Sequence, residues 1–526
     1  MSTAPLDPEV GALLADAVER ALGGEPEAVA LELAALLRTG VEGECPERAA
    51  VEYVLAIAQN ESGAGHGAVR SATRCLDVAD GLGSPGWAAN ALAVRAIAHE
   101  RLGLTAEAVD DLVRAEHEIG GCDDDGLRAW AHSWLGTAYQ EMRLYELASP
   151  HYERCGELGA DPIPLATSAF VDQLSLATLH GEWAIELTLL GATDGRSRRE
   201  RAHLRESAVA HAERALALCS PRTPPHQVLR ARFLRAQHAA TVDETMLAEL
   251  RDLRLGFLEA GDDERSVATT ATLAAALAAV GQVELAAAEA QRALDAIPVD
   301  ADFLTGRHVL WVHLRLAEDR GEPFAGAGLA LGVATSRTWW AHRASRLATM
   351  RSAITGYAQR RGREAEYLSA RRDALTGLGN RRAFDEWLAG PDSVDGALVT
   401  VDVDRLKQAN DTWGHAAGDE VIVAVGRALV LGLREQDHAF RLGGDEFAVA
   451  LVPGTLEDAT TVGRRIGARV AEVAAGAAEP ALAALSVSIG CAATSEGLPA
   501  GELAAVADRR MYESKRSGRR LHHVAS

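Results

Sequence analysis

Carboxylates in the last third of the chain stand where short apolar runs end or begin. Asp402 closes an apolar run that starts at Leu398. Asp445 and Glu446 follow a Gly-Gly pair and lead into a second apolar run. Mg²⁺ prefers oxygen ligands such as carboxylates and phosphates. The pattern therefore predicts a site for Mg²⁺, or alternatively Mn²⁺, at the edge of a sheet.

The elements around these carboxylates alternate between strands and helices from Asp373 onward. The apolar β-type runs that predict strands are 398–402, 438–442, 447–451 and 485–489. The helical patterns are 418–433, a stretch from 456, and 501–516. The middle two strands are predicted to form a hairpin through a Gly443-Gly444 turn. This alternation around a central hairpin indicates an α+β domain with an antiparallel sheet.

Four blocks in this region resemble the GGDEF family of diguanylate cyclases, which condense two GTP molecules into cyclic di-GMP. They are Asp373–Arg382, Asp402–Asp419, Arg441–Phe447 and Ala507–Arg519. The Gly-Gly-Asp-Glu-Phe sequence alone would be weak evidence, because a hairpin turn can use it for structural reasons. Together and in this order, the four blocks imply a GGDEF domain over 373–526 with every expected ligand in place.

The resemblance assigns the residues at the reacting centre. The metal ligands are expected to be the side chains of Asp402 and Asp445 and the backbone carbonyl of Val403. Glu446 becomes the candidate to accept the 3′-hydroxyl proton, the alternative being an additional metal ligand or a structural acceptor. Lys407 is expected to offset charge that builds in the transition state.

A second group of residues is expected to recognise guanine. Guanine has donors on its N1 and N2 edge and acceptors at O6 and N7, so an amide and a carboxylate together distinguish it from adenine. Asn410 and Asp419 match the family's guanine-binding pair, and His415 stands at a substrate-lining position. The resemblance therefore implies GTP as the substrate.

The phosphates need donors and positive charge. Lys515 and Arg519, one helical turn apart, match the family's γ-phosphate pair. The backbone amides of Arg405 and Leu406 are expected to cradle the remaining phosphates. Leu406 stands where phenylalanine is frequent, and its side chain is expected to matter little if it contributes only its N–H.

Arg434 and Asp437 form an Arg-x-x-Asp pair ahead of the Gly-Gly turn. The interval is that of the family's product-inhibition site, which implies that cyclic di-GMP binds there. The alternative is a solvated charged loop without a ligand.

The first two-thirds of the chain carries an internal repeat. The segment from Leu135 through Ala148 to Cys155 resembles the tetratricopeptide repeat, in which small residues let paired helices approach closely. Its small-residue anchors Ala68, Ala108 and Ala148 are 40 residues apart instead of the usual 34, so either the helices or the turns are longer. The pattern predicts a tetratricopeptide-like α-helical array over 1–335, with another kind of α-array as the alternative.

A segment over 336–372 is predicted to link the two regions as a signalling helix. Leu347, Met350, Ile354 and Tyr357 recur at spacings of three and four, which is typical of a coiled-coil seam. Such a seam would favour a homodimer. The alternative is a single amphipathic helix packed on the last repeat.

Composition limits the classes of partner. With 53 Lys and Arg against 75 Asp and Glu, the formal charge of −22 argues against broad nucleic-acid binding. The six cysteines include no Cys-x-x-Cys pair, which favours reduced thiols. The first residues show no basic-then-apolar leader, and the apolar runs are too short to span a bilayer. We therefore expect a cytoplasmic protein without membrane insertion.

Three functional hypotheses follow. The first is an enzyme that makes cyclic di-GMP as a homodimer and is regulated by its helical array, which would bind a protein partner. The second is a catalytically silent receptor for GTP or cyclic di-GMP. The third is a scaffold whose main work is done by the repeats. The intact candidate site favours the first.

Overall fold

The chain folds into two compact units that divide between Ala358 and Gln359. The computed structural model describes residues 6–39, 43–158, 169–192, 194–220, 223–299, 301–393, 395–431 and 433–517. The division lies inside one long helix, so the predicted linker over 336–372 belongs partly to each unit. Among the described residues, no helix is both long and apolar enough to cross a bilayer.

The described residues of the first unit form helices without strands, as predicted. The helices are α1 (Pro8–Leu22), α2 (Pro26–Thr39), α3 (Pro46–Glu61), α4 (Gly65–Leu82), α5 (Pro85–Arg101), α6 (Thr105–Ile119), α7 (Asp125–Glu141), α8 (Tyr145–Leu158), α9 (Ala169–Leu189), α10 (Gly195–Ala217), α11 (Pro225–His238), α12 (Glu244–Glu259), α13 (Asp263–Ala279), α14 (Val283–Asp295), α15 (Phe303–Asp319) and α16 (Ala325–Ser369).

The 40-residue spacing corresponds to three successive helical hairpins, α3–α4, α5–α6 and α7–α8. The anchors Ala68, Ala108 and Ala148 are each 0% exposed, on the second helix of their hairpins. Only three residues separate the two helices of each hairpin, so the extra length lies in the helices. The small side chains let the paired helices approach, as the pattern predicts; membership of the tetratricopeptide family stays a prediction.

The apolar positions of α16 are buried within their own chain. Met350 is 1% exposed and shares a hydrophobic core with the first hairpins, and Leu347, Ile354 and Tyr357 pack against the same core. Arg346 is ion-paired with Glu100 of α5 at 2.7 Å. The coiled-coil seam is therefore wrong at these positions, because their apolar surface is already covered. At these positions the helix packs on the early hairpins, and nearer its start Ser336 and Trp339 contact Arg307 and Phe303 of α15, so it also packs on the end of the array, as the alternative predicted.

The second unit is an α+β domain, as predicted. Its strands are β1 (Ala397–Val403), β2 (His438–Gly443), β3 (Glu446–Leu451) and β4 (Val487–Ala493), antiparallel in the order β2-β3-β1-β4. Its α-helices are α17 (Arg381–Ala389), α18 (Leu406–Trp413), α19 (His415–Val430), α20 (Leu456–Gly476), α21 (Pro480–Ala483) and α22 (Leu503–Ser517).

The central strands are apolar on both faces, which explains why they read as continuous runs. On β1, Val399 and Val401 belong to one core, and Leu398 belongs to a second core on the opposite face. Helices α19 and α20 cover the first face, and α17 and α22 cover the second. Helices therefore enclose both sides of β1, and its charged side chain, Asp402, lies near the end of the strand.

Several strands and helices of this domain begin or end at residues other than those predicted from the sequence. The hairpin turn consists of Gly444 and Asp445, because Gly443 still pairs with Glu446 beyond an irregularity in β2. Helix α19 begins at His415, three residues earlier than predicted, and β4 begins two residues later. The short helices α17 and α18 were not predicted, since 9 and 8 residues show little periodicity.

Candidate active site

Three carboxylate residues meet where β1 ends beside the β2–β3 turn. The Val403 N–H donates a hydrogen bond to the Asp445 carbonyl oxygen at 2.9 Å. Asp402 is the direct cross-strand partner of Glu446, and directly opposite residues project from the same face of a sheet. The structure thus brings together Asp402, Asp445 and Glu446, the candidates for metal binding and proton transfer.

Asp402 is held by a cation from the last helix. The Lys515 ammonium donates a hydrogen bond to Asp402 Oδ1 at 2.6 Å. Burial raises the pKa of Asp402, the lysine opposes that rise, and the carboxylates of Asp445 and Asp404 add to it. The hydrogen bond to Asp402 raises the pKa of Lys515, which therefore stays protonated. The predicted phosphate ligand accordingly contacts the predicted metal ligand directly.

A glycine on β4 allows α22 to bring Lys515 to the sheet edge. A Cβ at Gly490 would lie 2.1 Å from the carbonyl oxygen of Ala507 and 2.4 Å from the Met511 nitrogen. Real side chains do not tolerate such distances, so the helix backbone can cross β4 only where no side chain stands. Lys515 follows Met511 by one turn and lies on the same face of the helix.

Asp404 lies close to the site, but its carboxylate is already hydrogen-bonded to two serines. Its two oxygens accept hydrogen bonds from the hydroxyls of Ser486 and Ser488, each at 2.8 Å. Across the described residues, no cluster of three or more His, Cys, Asp or Glu side chains is arranged to hold a metal. The available donor set is therefore two side-chain carboxylates, as expected for a cation that completes its shell with backbone oxygen, phosphates and water.

The turn after β1 presents the start of α18. Arg405 adopts a left-handed conformation with φ of 57°, and it provides no side-chain cap to the helix. The first N–H groups of a helix without a side-chain cap have no acceptor within the helix, so they are available to bind an anion. Leu406 is 7% exposed and belongs to the domain core, so the expectation that its side chain matters little is wrong. Lys407 is exposed on the first turn.

The guanine-binding candidates lie around the junction of α18 and α19. A Cβ at Gly418 would be 1.8 Å from Oδ1 of Asn410, so the amide lies directly against α19. Asp419 is the next residue after that glycine, and His415 begins the same helix. Both are exposed. The junction thus places an amide and a carboxylate at one corner, as guanine recognition requires.

An arginine whose role the sequence did not reveal fixes the Gly-Gly turn. Arg441 donates to the Gly444 carbonyl oxygen at 2.8 and 3.2 Å. It also contacts both carboxylate oxygens of Asp373 at 3.2 and 3.3 Å. Asp373 accepts hydrogen bonds from the backbone and hydroxyl of Thr376 and has a lowered pKa: its burial, which raises the pKa, is outweighed by these bonds and by Arg441. Arg441 therefore anchors the turn that carries Asp445.

The Arg-x-x-Asp pair lines a cavity of about 480 Å³ together with Arg371 and Arg372. The Asp437 carboxylate accepts a hydrogen bond from the Arg434 backbone N–H at 2.9 Å, so it shapes the loop. The Arg434 residue is exposed. Of the other candidates, Arg519 lies outside the described residues.

Comparisons with known proteins match this unit. The family model described as "Diguanylate cyclase, GGDEF domain" matches residues 370–521. Diguanylate cyclase DosC of Escherichia coli K12 is 39% identical over 154 residues, 28% of this chain and 33% of that protein. Diguanylate cyclase DgcS of Shewanella oneidensis is 35% identical over 159 residues, 29% of this chain and 52% of that protein. The chain thus spans between a third and about half of these relatives.

A solved structure, the coiled coil and GGDEF domain of DgcB from Caulobacter crescentus in complex with c-di-GMP, is also similar. It is 30% identical, covers 34% of this chain and 98% of that one, and has a TM-score of 0.30. The family match over 370–521 contains all four motif blocks and lies in the C-terminal unit. Residues 370–521 of this chain belong to the GGDEF domain family of diguanylate cyclases.

Proposed function

We propose that this protein is a diguanylate cyclase that converts two GTP molecules into cyclic di-GMP and two pyrophosphates. The observation that carries the proposal is the meeting of Asp402, Asp445 and Glu446 at one sheet edge, beside the uncapped start of α18. The relatives named diguanylate cyclases, 35–39% identical over this unit, support the same activity.

The residues fit Mg²⁺ or Mn²⁺. The carboxylates of Asp402, Asp404 and Asp445 lie close enough to repel one another, and the Lys515 ammonium is already drawn to them. Asp402, Asp445 and the Val403 carbonyl would hold the cation, with Asp404 bound to its serines. Bound there, the cation would neutralise charge on the α-phosphate and the leaving pyrophosphate.

Each half-reaction forms a bond between a 3′-oxygen and an α-phosphorus and breaks the bond from that phosphorus to pyrophosphate. Glu446 is proposed to accept the 3′-hydroxyl proton, since it shares a sheet face with Asp402 and is exposed to substrate. Asn410 and Asp419 hold guanine with His415 beside it. The amides of Arg405 and Leu406, with Lys407, Lys515 and Arg519, hold the phosphates.

The product is two-fold symmetric, and one site holds one GTP, so each 3′-hydroxyl attacks a nucleotide held by a second copy. We therefore propose a homodimer as the active species. Holding the two sites in register supplies several kcal/mol of the barrier. The buried face of α16 does not form this interface, because its apolar residues pack within their own chain.

Specific activity measured against enzyme concentration tests the dimer. A fragment starting near Ser369 is expected to show a steeper, second-order dependence than the full chain if the helical array promotes assembly. Identical linear behaviour of both proteins would contradict that role. Regulation of the domain by the array, and a protein partner for the array, are proposed on the same basis.

Product inhibition by cyclic di-GMP at Arg434 and Asp437 is part of the proposal. The cavity lined by these residues and by Arg371 and Arg372 supports it, because guanidinium groups pair with phosphates and with guanine acceptors.

The activity is tested by incubating the purified full-length protein with GTP and Mg²⁺ and separating the products by chromatography. Cyclic di-GMP and pyrophosphate are expected. Binding of GTP or cyclic di-GMP without turnover would favour the silent receptor, and absence of both binding and turnover would favour the scaffold.

A further inference from the structure

The helical array of the first unit encloses two adjoining cavities of about 750 and 530 Å³. Glu182, Arg230 and Asp302 line both of them, so the two volumes are parts of one space. Each volume lies in the range of sites that enclose small molecules. Its walls come from helices between α1 and α15.

Four arginines and four carboxylates line the larger cavity. Three of the arginines are ion-paired: Arg101 with Glu141, Arg143 with Asp302, and Arg265 with Asp262. The fourth, Arg230 on α11, forms no ion pair among the described residues. Burial, with nearby Arg265, lowers the pKa of its guanidinium to about 10. An arginine in this state is stabilised by an anion.

Glu182 on α9 is the matching anion. Its carboxylate accepts a hydrogen bond from the side-chain amide of Gln140 at 3.0 Å, and it forms no ion pair within the described part of the chain. Burial raises its pKa even though Arg143 and Arg230 attract the charged form from a distance. Arg230 and Glu182 are both partly buried and line the same space, and neither forms an ion pair among the described residues.

One residue in the cavity wall, Arg143, departs from the pattern of the repeat. The turns of the first two hairpins place Gly63 and Gly103 in the left-handed region, with φ of 76° and 75°. The third hairpin places Arg143 at the same position, 40 residues later, with φ of 57°. Glycine adopts this conformation without steric cost, whereas an L side chain does not.

The contacts of the Arg143 side chain explain why arginine stands where the other two hairpins have glycine. Its guanidinium donates to both oxygens of Asp302 at 2.7 and 3.0 Å and to the Tyr145 hydroxyl at 3.2 Å. Asp302 caps the start of α15, so the arginine ties the third hairpin to a helix 159 residues away. The strained backbone at Arg143 thus places its guanidinium in the cavity wall beside Asp302.

The larger cavity also has apolar lining residues. Val18, Ile57 and Trp134 line it from α1, α3 and α7. Trp130, also in the lining, is 2% exposed, and its Nε1 has no hydrogen-bond partner among the described residues. The space therefore combines apolar lining residues, a buried donor, and a separated cation and anion.

We propose that this space binds a small zwitterion of the amino-acid or short-peptide class, with its carboxylate on Arg230, its ammonium on Glu182 and an aliphatic or aromatic side chain toward Trp134. A ligand with one charge would leave either Arg230 or Glu182 unpaired. A ligand with both charges pairs them, and the equal numbers of arginines and carboxylates in the lining then stay balanced.

The test is calorimetric titration of the full-length protein, without GTP, with the standard L-amino acids and with dipeptides of leucine, phenylalanine and tryptophan. The binders are then compared with their N-acetylated and C-amidated forms. We expect each blocked form to bind about 10- to 100-fold more weakly than the free form, because each loses one charge-assisted contact.

Variants assign the two contacts. Arg230→Gln is expected to weaken the free ligand about 10- to 100-fold and to remove its advantage over the C-amide. Glu182→Gln should do the same with respect to the N-acetyl form. Arg232→Gln is the matched control: it removes the same charge from the same helix, but Arg232 pairs with Glu249 and Asp252 and lines neither cavity.

Circular dichroism checks the fold of each variant. If Arg230→Gln does not fold, Arg230→Lys replaces it and should retain part of the affinity. Absence of binding by every member of the panel at millimolar concentration would overturn the proposal. So would equal binding of free and blocked ligands by the wild-type protein, a result that needs no variant.

Discussion

The two units respond to acid through different groups. The helical array holds buried histidines without charged partners: burial lowers the pKa of His180, His308 and His238 to about 4, 4 and 3. In the GGDEF domain, arginines pair with exposed carboxylates and lower the pKa of Glu386 and Glu496. Protonation of these histidines therefore destabilises the array, and protonation of these carboxylates destabilises the domain.

The difference extends to how each unit could act. The domain collects its functional residues at one sheet edge, where β1 leaves the core and carboxylates can reach solvent. The array has no such edge, and its polar groups instead surround an internal space between helices. The first arrangement suits chemistry on an exposed nucleotide, and the second suits enclosure of a small ligand.

The largest effect is expected from removing a site carboxylate. Asp445→Ala and Asp402→Asn should each reduce cyclic di-GMP formation on the order of 10²- to 10³-fold or more, because each removes a charge that stabilises the reacting phosphate. Rates are measured by chromatography of the reaction mixture. Hydrogen exchange of peptides from the array should be unchanged, since both altered residues belong to the other unit.

Asp385→Asn is the matched control, because Asp385 is an exposed carboxylate on α17 away from the candidate site. It should retain wild-type turnover. Turnover close to wild type in Asp445→Ala or Asp402→Asn would contradict the metal assignment.

Acid should destabilise the two units at different pH values. The array histidines have pKa values below the ordinary 6.5 when folded, so the unfolded array binds more protons and the free energy of unfolding falls as pH decreases. The loss runs from about pH 6.5 to about pH 4 and amounts to several kcal/mol by order of magnitude. The carboxylates of the domain act lower: their stabilisation is present above their unfolded pKa of about 4 and is lost below it.

Hydrogen exchange of the full-length chain followed by mass spectrometry reads both units in one sample. Peptides from the array should lose protection at higher pH than peptides from the domain. His238→Gln should reduce the pH dependence of the array, whereas His66→Gln, at an exposed position, should leave it unchanged. Simultaneous loss of protection in both units would contradict the comparison.

A smaller effect is expected at Arg441. Arg441→Gln removes the contacts to Gly444 and Asp373, so the turn that carries Asp445 loses its anchor. We expect kcat to fall about 10- to 100-fold, as for residues that orient a ligand, with KM for GTP little changed. Arg441→Lys should not restore activity, because an ammonium cannot reproduce the planar fork.

Arg427→Gln, at an exposed position on α19, is the control and should turn over normally. If Arg441→Lys restores full activity, charge alone is enough at this position and the anchoring role is wrong. If KM rises while kcat is unchanged, the arginine acts on substrate binding instead.

The sequence predicted most of the domain because its signals are local. Asp402 could be placed near the end of β1 from the β-type run that begins at Leu398, and the Gly-Gly pair located the hairpin. Arg441 was missed as an anchor because its partner Asp373 is 68 residues away in the chain. Leu406 was misjudged because nothing in an exposed-looking helix start shows that one side chain turns into the core.

The sequence predicted less of the array, because the contacts that define it join residues far apart in the chain. Alanine anchors gave the 40-residue hairpin, but the spacing of Met350 and its neighbours is the same for a helix that pairs with a second copy and for one that packs on its own chain. The cavity is assembled from helices between α1 and α15, and its key contact joins Arg143 to Asp302 across 159 residues. No local pattern specifies such a contact.

The smallest effect on the rate is expected at Arg434. This variant tests whether the domain, like the array, binds a ligand in a cavity. Arg434→Ala should leave the initial rate nearly unchanged and abolish inhibition by added cyclic di-GMP. Its backbone N–H would still donate to Asp437, so the loop should keep its shape. Asp437→Ala would remove that acceptor and could not separate ligand contact from loop structure. Gln436→Ala, at an exposed position on the same loop, is the control and should be inhibited like the parent. Inhibition of Arg434→Ala at the parental concentration of cyclic di-GMP would mean that the guanidinium is only solvated and that the cavity beside it does not bind product.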